Sequence, residues 1–246
     1  DGGITGRNAC FYDPYEDDEH NYGIIRIQQD ELNDTVQKCH DAGLRCCVHA
    51  IGDRAFDMAL DAYENAVQKS PRKDHRHRIE HMGNWLSTPE RMQRMVRSGI
   101  VAIPNIAIGY YVGDAILDCV GEKRLTKAFP FRTLLKNNVI IAGGSDSPGY
   151  WPVDPLRDIA ACVSRKMRWG EVWVPEERIS VNEAFAMHTT TASWVGFEEN
   201  EKGSLESGKL ADIAVLAEDP FEIQPEKIKD LKVEMTLVGG EVKYQA

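Results

Sequence analysis

An α/β fold built on a parallel sheet is what this sequence predicts, and three observations carry the prediction. Four short apolar runs, LRCCVH, HRIEHM, IVAIP and VIIAGG, stand between stretches of helical spacing. Runs of this length without alternation suit strands buried on both faces. Helix and strand signals then alternate from Glu31 to Gly144, the pattern of successive βα units. Periodicity leaves open whether such a sheet is open and doubly wound or closed as a barrel.

The elements follow in order. Apolar spacing predicts a helix over 31–41, which Gly43 stops ahead of the strand at 44–49. From Asp53 to Lys69, Ala55, Met58, Ala59, Ala62, Tyr63 and Ala66 share one helical face, with charges largely opposite. HRIEHM at 77–82 is the second strand. Thr88 as N-cap and Pro89 at the first helical position open a helix that runs to Ser98, before Gly99 and the strand IVAIP. A connection rich in Gly and Tyr follows; its stretch from Pro104 to Asp114, with Tyr110 and Tyr111, is expected to face substrate. PFRTLLKNN is a helix and VIIAGG the fourth strand, ending at Ser145 and Asp146. Helices are expected over 154–167 and 180–195, the latter opened by a Ser180/Glu183 capping box. Beyond Gly203 come KLADIAVLAE and VEMTLVGGEVKY, the latter with a Gly-Gly turn suited to a hairpin.

At 246 residues, 42% of them hydrophobic, the chain can bury a real core in one or two domains. Its 29 basic and 39 acidic residues give a formal charge of −10, which opposes broad attraction to nucleic acid or anionic membrane. No apolar run approaches the roughly 20 residues of a membrane helix, and the expected compartment is the cytoplasm. The basic run RKDHRHR at 72–78 reads as a solvated loop leading into a strand, rather than as a phosphate site. Six cysteines without a CxxC, two of them the adjacent Cys46 and Cys47, read as reduced thiols.

Generic motifs do not account for the chain. It has no GxGxxG, GxxxxGK[ST] or HExxH, and GGSDSPG misses the GxSxG elbow because Ser147 stands at its second glycine. What remains is positional. His49 ends the first strand, His81 ends the second and Asp146 follows the last, so all three fall on the edge where α/β active sites sit. Singly, each has a structural explanation in a hydrogen-bonded histidine or a turn-capping aspartate. Together they are the imidazole and carboxylate donors of a catalytic zinc site. His20, His40, His75 and His77 carry less weight, and His188 in FAMHTTTAS is expected to pack on its helix.

Four ordered segments, VHAIGDRAFDMALDAYE, RHRIEHM, IIAGGSDSP and KGSLESGKLADIAVLAEDP, resemble the amidohydrolase superfamily over nearly the whole chain. HAIGDRA, RHRIEH, GSDSP and the DG start near GRNA narrow this to the amidohydrolase 3 group, which includes YtcJ-like proteins and N-substituted formamide deformylases. The resemblance implies the carboxyl-terminal half of a (β/α)8 barrel, strands five to eight, over residues 1–200, and strands of a small β-sandwich over 201–246. It implies one or two divalent metals, zinc foremost, held by His49, His81 and Asp146. Asp146 is then also the catalytic residue that takes a water proton and passes it to the leaving nitrogen of an amide-type bond. Asp53, Arg54 and Glu80 are candidates to support the ligands.

The HxH of the group's first barrel strand and the lysine before its DG segment have no counterpart here, for the HxH spacing the chain does contain, His75-Arg76-His77, leads into the second strand. The chain is therefore expected to be the carboxyl-terminal portion of a longer hydrolase, inactive alone, with exposed sheet edges that leave it marginal or prone to associate. Two other readings stay open: a half-barrel serving as an interaction or assembly module, and a superfamily member that cleaves esters or deaminates. The expected partner is a small-molecule substrate, not nucleic acid or membrane, and homo-oligomerisation of the longer protein is compatible with all of this.

Overall fold

The computed structural model describes residues 1–82, 88–147 and 152–246. Its first sheet is parallel, in the order β1 (Cys47–His49), β2 (Arg78–Glu80), β3 (Val101–Ile103). Register pairs Cys47 with Arg78 and Val101, and His49 with Glu80 and Ile103. Sequential units thus lie side by side with no reversal of strand order. The fourth run is shorter than expected: only Ile141 bridges to Ala102, through bonds from the Ala102 and Ala142 amides, before Gly143 turns its own amide to Met187 O.

Alternation sorts the side chains. Ile79, Ala102 and Ile141, with Val48, point into the large core beneath the helices. Val101, Ile103 and Ala142 face the other way and pack on Val195, beside the Arg78–Glu80 ion pair. Burial of β1 on both faces does not hold: Cys47 and His49 are exposed and Val48 half-buried. The reason is position, because β1 is an edge strand that pairs on one side only among the described residues.

The helices follow their sequence signals where local chemistry decides. In α1 (Gln29–Asp41), Leu32, Val36 and His40 are buried. In α2 (Asp53–Lys69), alanines at 55, 59, 62 and 66 let the helix lie close to the sheet, and Tyr63 Oη donates to Arg78 O at 2.8 Å. Thr88 Oγ1 accepts the Arg91 amide at the start of α3 (Pro89–Ser98), and Gly99 at φ 65° ends it. Arg91 pairs with Asp57, and Arg94 with Asp61 and Glu64, strapping α3 to α2. The Ser180/Glu183 capping box opens α7 (Val181–His188).

Elsewhere tertiary packing overrides local signals. The stretch expected as a substrate-facing connection is α4 (Ile106–Leu125), broken at Val112 and Gly121. Gly109 and Gly113 are contact points rather than breakers: a Cβ at Gly109 would lie 2.5 Å from the Phe129 ring, and one at Gly113 2.0 Å from Trp173. After α5 (Phe131–Lys136), α6 (Pro155–Ser164) ends three residues before its expected limit, where Arg165 turns left-handed at φ 60°. The buried Arg165 guanidinium donates to the carbonyls of Ala128, Phe129 and Trp173. The helix expected over 180–195 is two, because Thr189 at φ −128°, ψ −91° separates α7 from α8 (Thr190–Gly196).

The basic run is solvated only in its first part, where Lys73 and Asp74 are exposed. His75, Arg76 and His77 are all buried, with Arg76 between the rings of Trp194 and Phe197 and paired to Asp74 and Glu199. The last residues form an antiparallel sheet, β4 (Ile213–Leu216), β5 (Val233–Val238) and β6 (Glu241–Gln245). Gly239 and Gly240, at φ 59° and 83°, make the predicted hairpin turn. Among the described residues all six cysteines are free, and no helix is long and apolar enough to cross a membrane.

Candidate active site

The ends of β1, β2 and the fourth run, on one edge of the parallel sheet, deliver the predicted side chains to one place. His49 closes β1, His81 follows β2, and Asp146 follows the Ile141 bridge; all three line a cavity of about 440 Å³, with Glu80 and Asn105 on its wall. The His49 and His81 rings stand 4.6 Å apart, at 72° to each other.

His81 and Asp146 both take left-handed backbone, at φ 68° and 56°. Non-glycine residues take this conformation at a cost, and such positions concentrate at functional sites. For His81 the conformation is held by its amide, which donates to Ile103 O at 2.9 Å.

The two imidazoles are neutral at pH 7 for a common reason. Burial pushes His81 down to about 4, and the neighbouring His49 adds to the effect. His49 keeps 43% of its side chain exposed, and its partial desolvation lowers it too. Neutral imidazoles keep a lone pair available for a metal or a proton. His81 Nδ1 is buried and has no hydrogen-bond partner; an orphaned nitrogen on a ring packed beside a second imidazole is what a ligand position requires.

In kind, then, the donors fit a divalent ion. In number they do not close a site, for among the described residues no three His, Cys, Asp or Glu side chains come near enough to hold a metal together. Of the supporting residues proposed from the sequence, Glu80 reaches the cavity, paired to Arg78. Asp53 does not; its carboxylate accepts the Tyr12 amide in a neighbouring loop. Arg54 is held through its backbone amide on Cys10 O. Pro148 of the GSDSP segment lies outside the described residues.

Three neighbours were not legible in the sequence. Asn105, the residue before α4, stands beside His81 on the cavity wall, and Gly144 leaves room for it, since a Cβ there would lie 2.6 Å from Asn105 Nδ2. His188 lays its ring over Gly143, where a Cβ would lie 2.5 Å from Cε1. Its Nε2 is buried without a partner, and burial lowers the ring to about 4. Asp1 reaches His49 Nε2 at 3.3 Å. No motif places a first residue against the forty-ninth; only the folded chain does.

The chain is similar to known proteins along its whole length. The chain is 32% identical over 251 residues to YtcJ of Bacillus subtilis, covering 100% of itself and 46% of that protein. It is 30% identical over 226 residues to the N-substituted formamide deformylase of Arthrobacter pascens, covering 91% of itself and 41% of that enzyme. An uncharacterised metal-dependent hydrolase from Pyrococcus furiosus superposes with a TM-score of 0.76 at 30% identity, over 90% of this chain and 44% of that one. The chain thus spans less than half the length of these relatives. Residues 1–244 match the amidohydrolase family over its amidohydrolase 3 group, and the chain belongs to that family.

Proposed function

We propose that the chain carries the carboxyl-terminal portion of a metal-dependent hydrolase that cleaves amide-type carbon–nitrogen bonds in a small molecule. In this reading residues 1–200 are the second half of a barrel and 201–246 a segment of a small sandwich. The observation that carries it is the convergence of His49, His81 and Asp146 on one 440 Å³ cavity, at the ends of β1, β2 and the run that bridges to β3. His81 offers its unpartnered Nδ1 and His49 its neutral ring to a divalent ion, zinc foremost. The ion supplies Lewis acidity toward a carbonyl oxygen and acidifies water. Asp146, exposed on the cavity rim, takes the water proton and returns it to the departing nitrogen.

The open donor set supports a second half to the site, contributed by residues beyond these 246. The shares of its relatives that the chain spans, 41–46%, support the same reading. The test is zinc content and amidase turnover, measured for the full-length protein and for this chain. The full-length protein is expected to bind zinc and turn over, Asp146→Asn to lower kcat about 10²–10⁴-fold, and this chain to be inactive. Turnover by the chain alone overturns the fragment reading. Full metal content and activity in a His81→Ala full-length variant overturn the site.

A further inference from the structure

The loop after β1, His49-Ala-Ile-Gly, is organised around a carboxylate that comes from far away in sequence. The Asp1 side chain is 0% exposed, and its Oδ1 lies 3.3 Å from His49 Nε2. Oδ1 also accepts the Ile51 amide at 3.1 Å. Oδ2 accepts the amides of Gly52 at 2.7 Å and Cys10 at 2.9 Å. A carboxylate removed from water is stable only when its lone pairs are met in this way, and it sits at the start of α2, where the helix dipole favours negative charge. Gly52 is required by the same approach, because a Cβ there would lie 1.9 Å from the Cys10 carbonyl oxygen.

The consequence falls on the histidine. Nε2 has the Asp1 carboxylate on one side and Gly2 O at 3.4 Å on the other. Both neighbours only accept, so Nε2 must carry the proton, and Nδ1 is left with the ring's lone pair. A carboxylate on the far nitrogen of an imidazole is the usual device for fixing a ligand's tautomer and ring plane and for raising its basicity. We propose that Asp1 is the positioning residue of His49, holding it as the Nε2–H tautomer with Nδ1 presented as the donor atom. The tautomer stands on this chain's geometry alone; its consequence for metal binding rests on the function proposed above.

The experiment reads the tautomer directly, by long-range ¹H–¹⁵N correlation of the histidine rings in the metal-free full chain at pH 8, followed by zinc titration of the full-length protein. Wild type is expected to show His49 with Nε2 protonated. In Asp1→Ala the Nε2–H population falls and Nδ1–H appears, and zinc affinity drops about 10–100-fold. Asp53→Asn, which alters the carboxylate at the first residue of α2 that accepts the Tyr12 amide, leaves the tautomer unchanged. If Asp1→Ala does not fold, Asp1→Asn, which keeps an oxygen for the Gly52 amide, is read in its place with the same expectation. A His49 that stays Nε2–H in the variant that folds means Asp1 serves only the backbone, and overturns the proposal. Failure to bind zinc with the tautomer shift intact counts against the metal reading and leaves the assignment of Asp1 standing.

Discussion

Acid should unlock the chain at His77 and His75, buried at the opposite end of β2 from His81. The Cys46 amide donates to His77 Nδ1 at 3.0 Å, so the His77 proton sits on Nε2, which donates to His40 Nδ1 at 2.8 Å. His40 Nε2 then donates to Ser70 O at 2.7 Å. The His77 amide donates to His75 Nδ1 at 3.0 Å, and His75 Nε2 donates to Ser98 O at 3.0 Å. Every ring nitrogen is engaged, and no ring can take a second proton without breaking a bond. Around them stand Arg72, Arg45 and Asp74, with Tyr63 stacked on His77 at 5.1 Å. Burial, with the neighbouring histidines and arginines, pushes His77 from 6.5 down to about 3. Burial also lowers His75.

A depressed folded-state value means that the unfolded chain takes up the proton first. Stability is therefore full above pH 6.5 and is lost as pH falls from there toward 3. One such proton costs about 1.4 kcal/mol per pH unit, so His77 alone removes about 2 kcal/mol between pH 6.5 and about pH 5. Set against a typical total of roughly 5–15 kcal/mol, that is a visible fraction. Urea unfolding followed by far-ultraviolet circular dichroism from about pH 5 to about pH 8 measures the slope. His77→Gln, which keeps hydrogen-bonding groups without titrating, should lower stability near pH 7 and flatten the slope by about one proton. Equal slopes in the two proteins would refute the reasoning.

Two packing predictions accompany this one and the tests of Asp146, His81 and Asp1 given above. Gly52→Ala forces a methyl onto the Cys10 backbone, which has no flexible side chain to yield; thermal denaturation should show a loss of roughly 2–3 kcal/mol. Tyr63→Phe removes the hydroxyl that bridges the entries of β1 and β2 through Cys46 O and Arg78 O. It should cost about 1 kcal/mol in chemical denaturation while leaving the ring stacked on His77.

What the sequence determined by itself was whatever short-range chemistry controls. The Thr88-Pro89 start and Gly99 stop of α3, the Ser180/Glu183 box of α7 and the Gly239-Gly240 turn rest on residues within a few positions of one another. The same holds for His49 and His81, whose place at strand ends follows from where each apolar run stops. Contacts made across the fold decided the rest. Gly109 and Gly113 read as loop residues until Phe129 and Trp173 press against them inside α4. RKDHRHR reads as a solvated loop until Trp194, Phe197 and Glu199 close over Arg76 from more than a hundred residues away. Asp1 opens the DG start, but nothing in that motif names its partner; it meets His49 only because folding brings together the two ends of a segment that holds α1 and β1. Charge and periodicity constrain what a segment can become next to itself; which distant group desolvates or pairs with it is settled only when the packed chain excludes water between them.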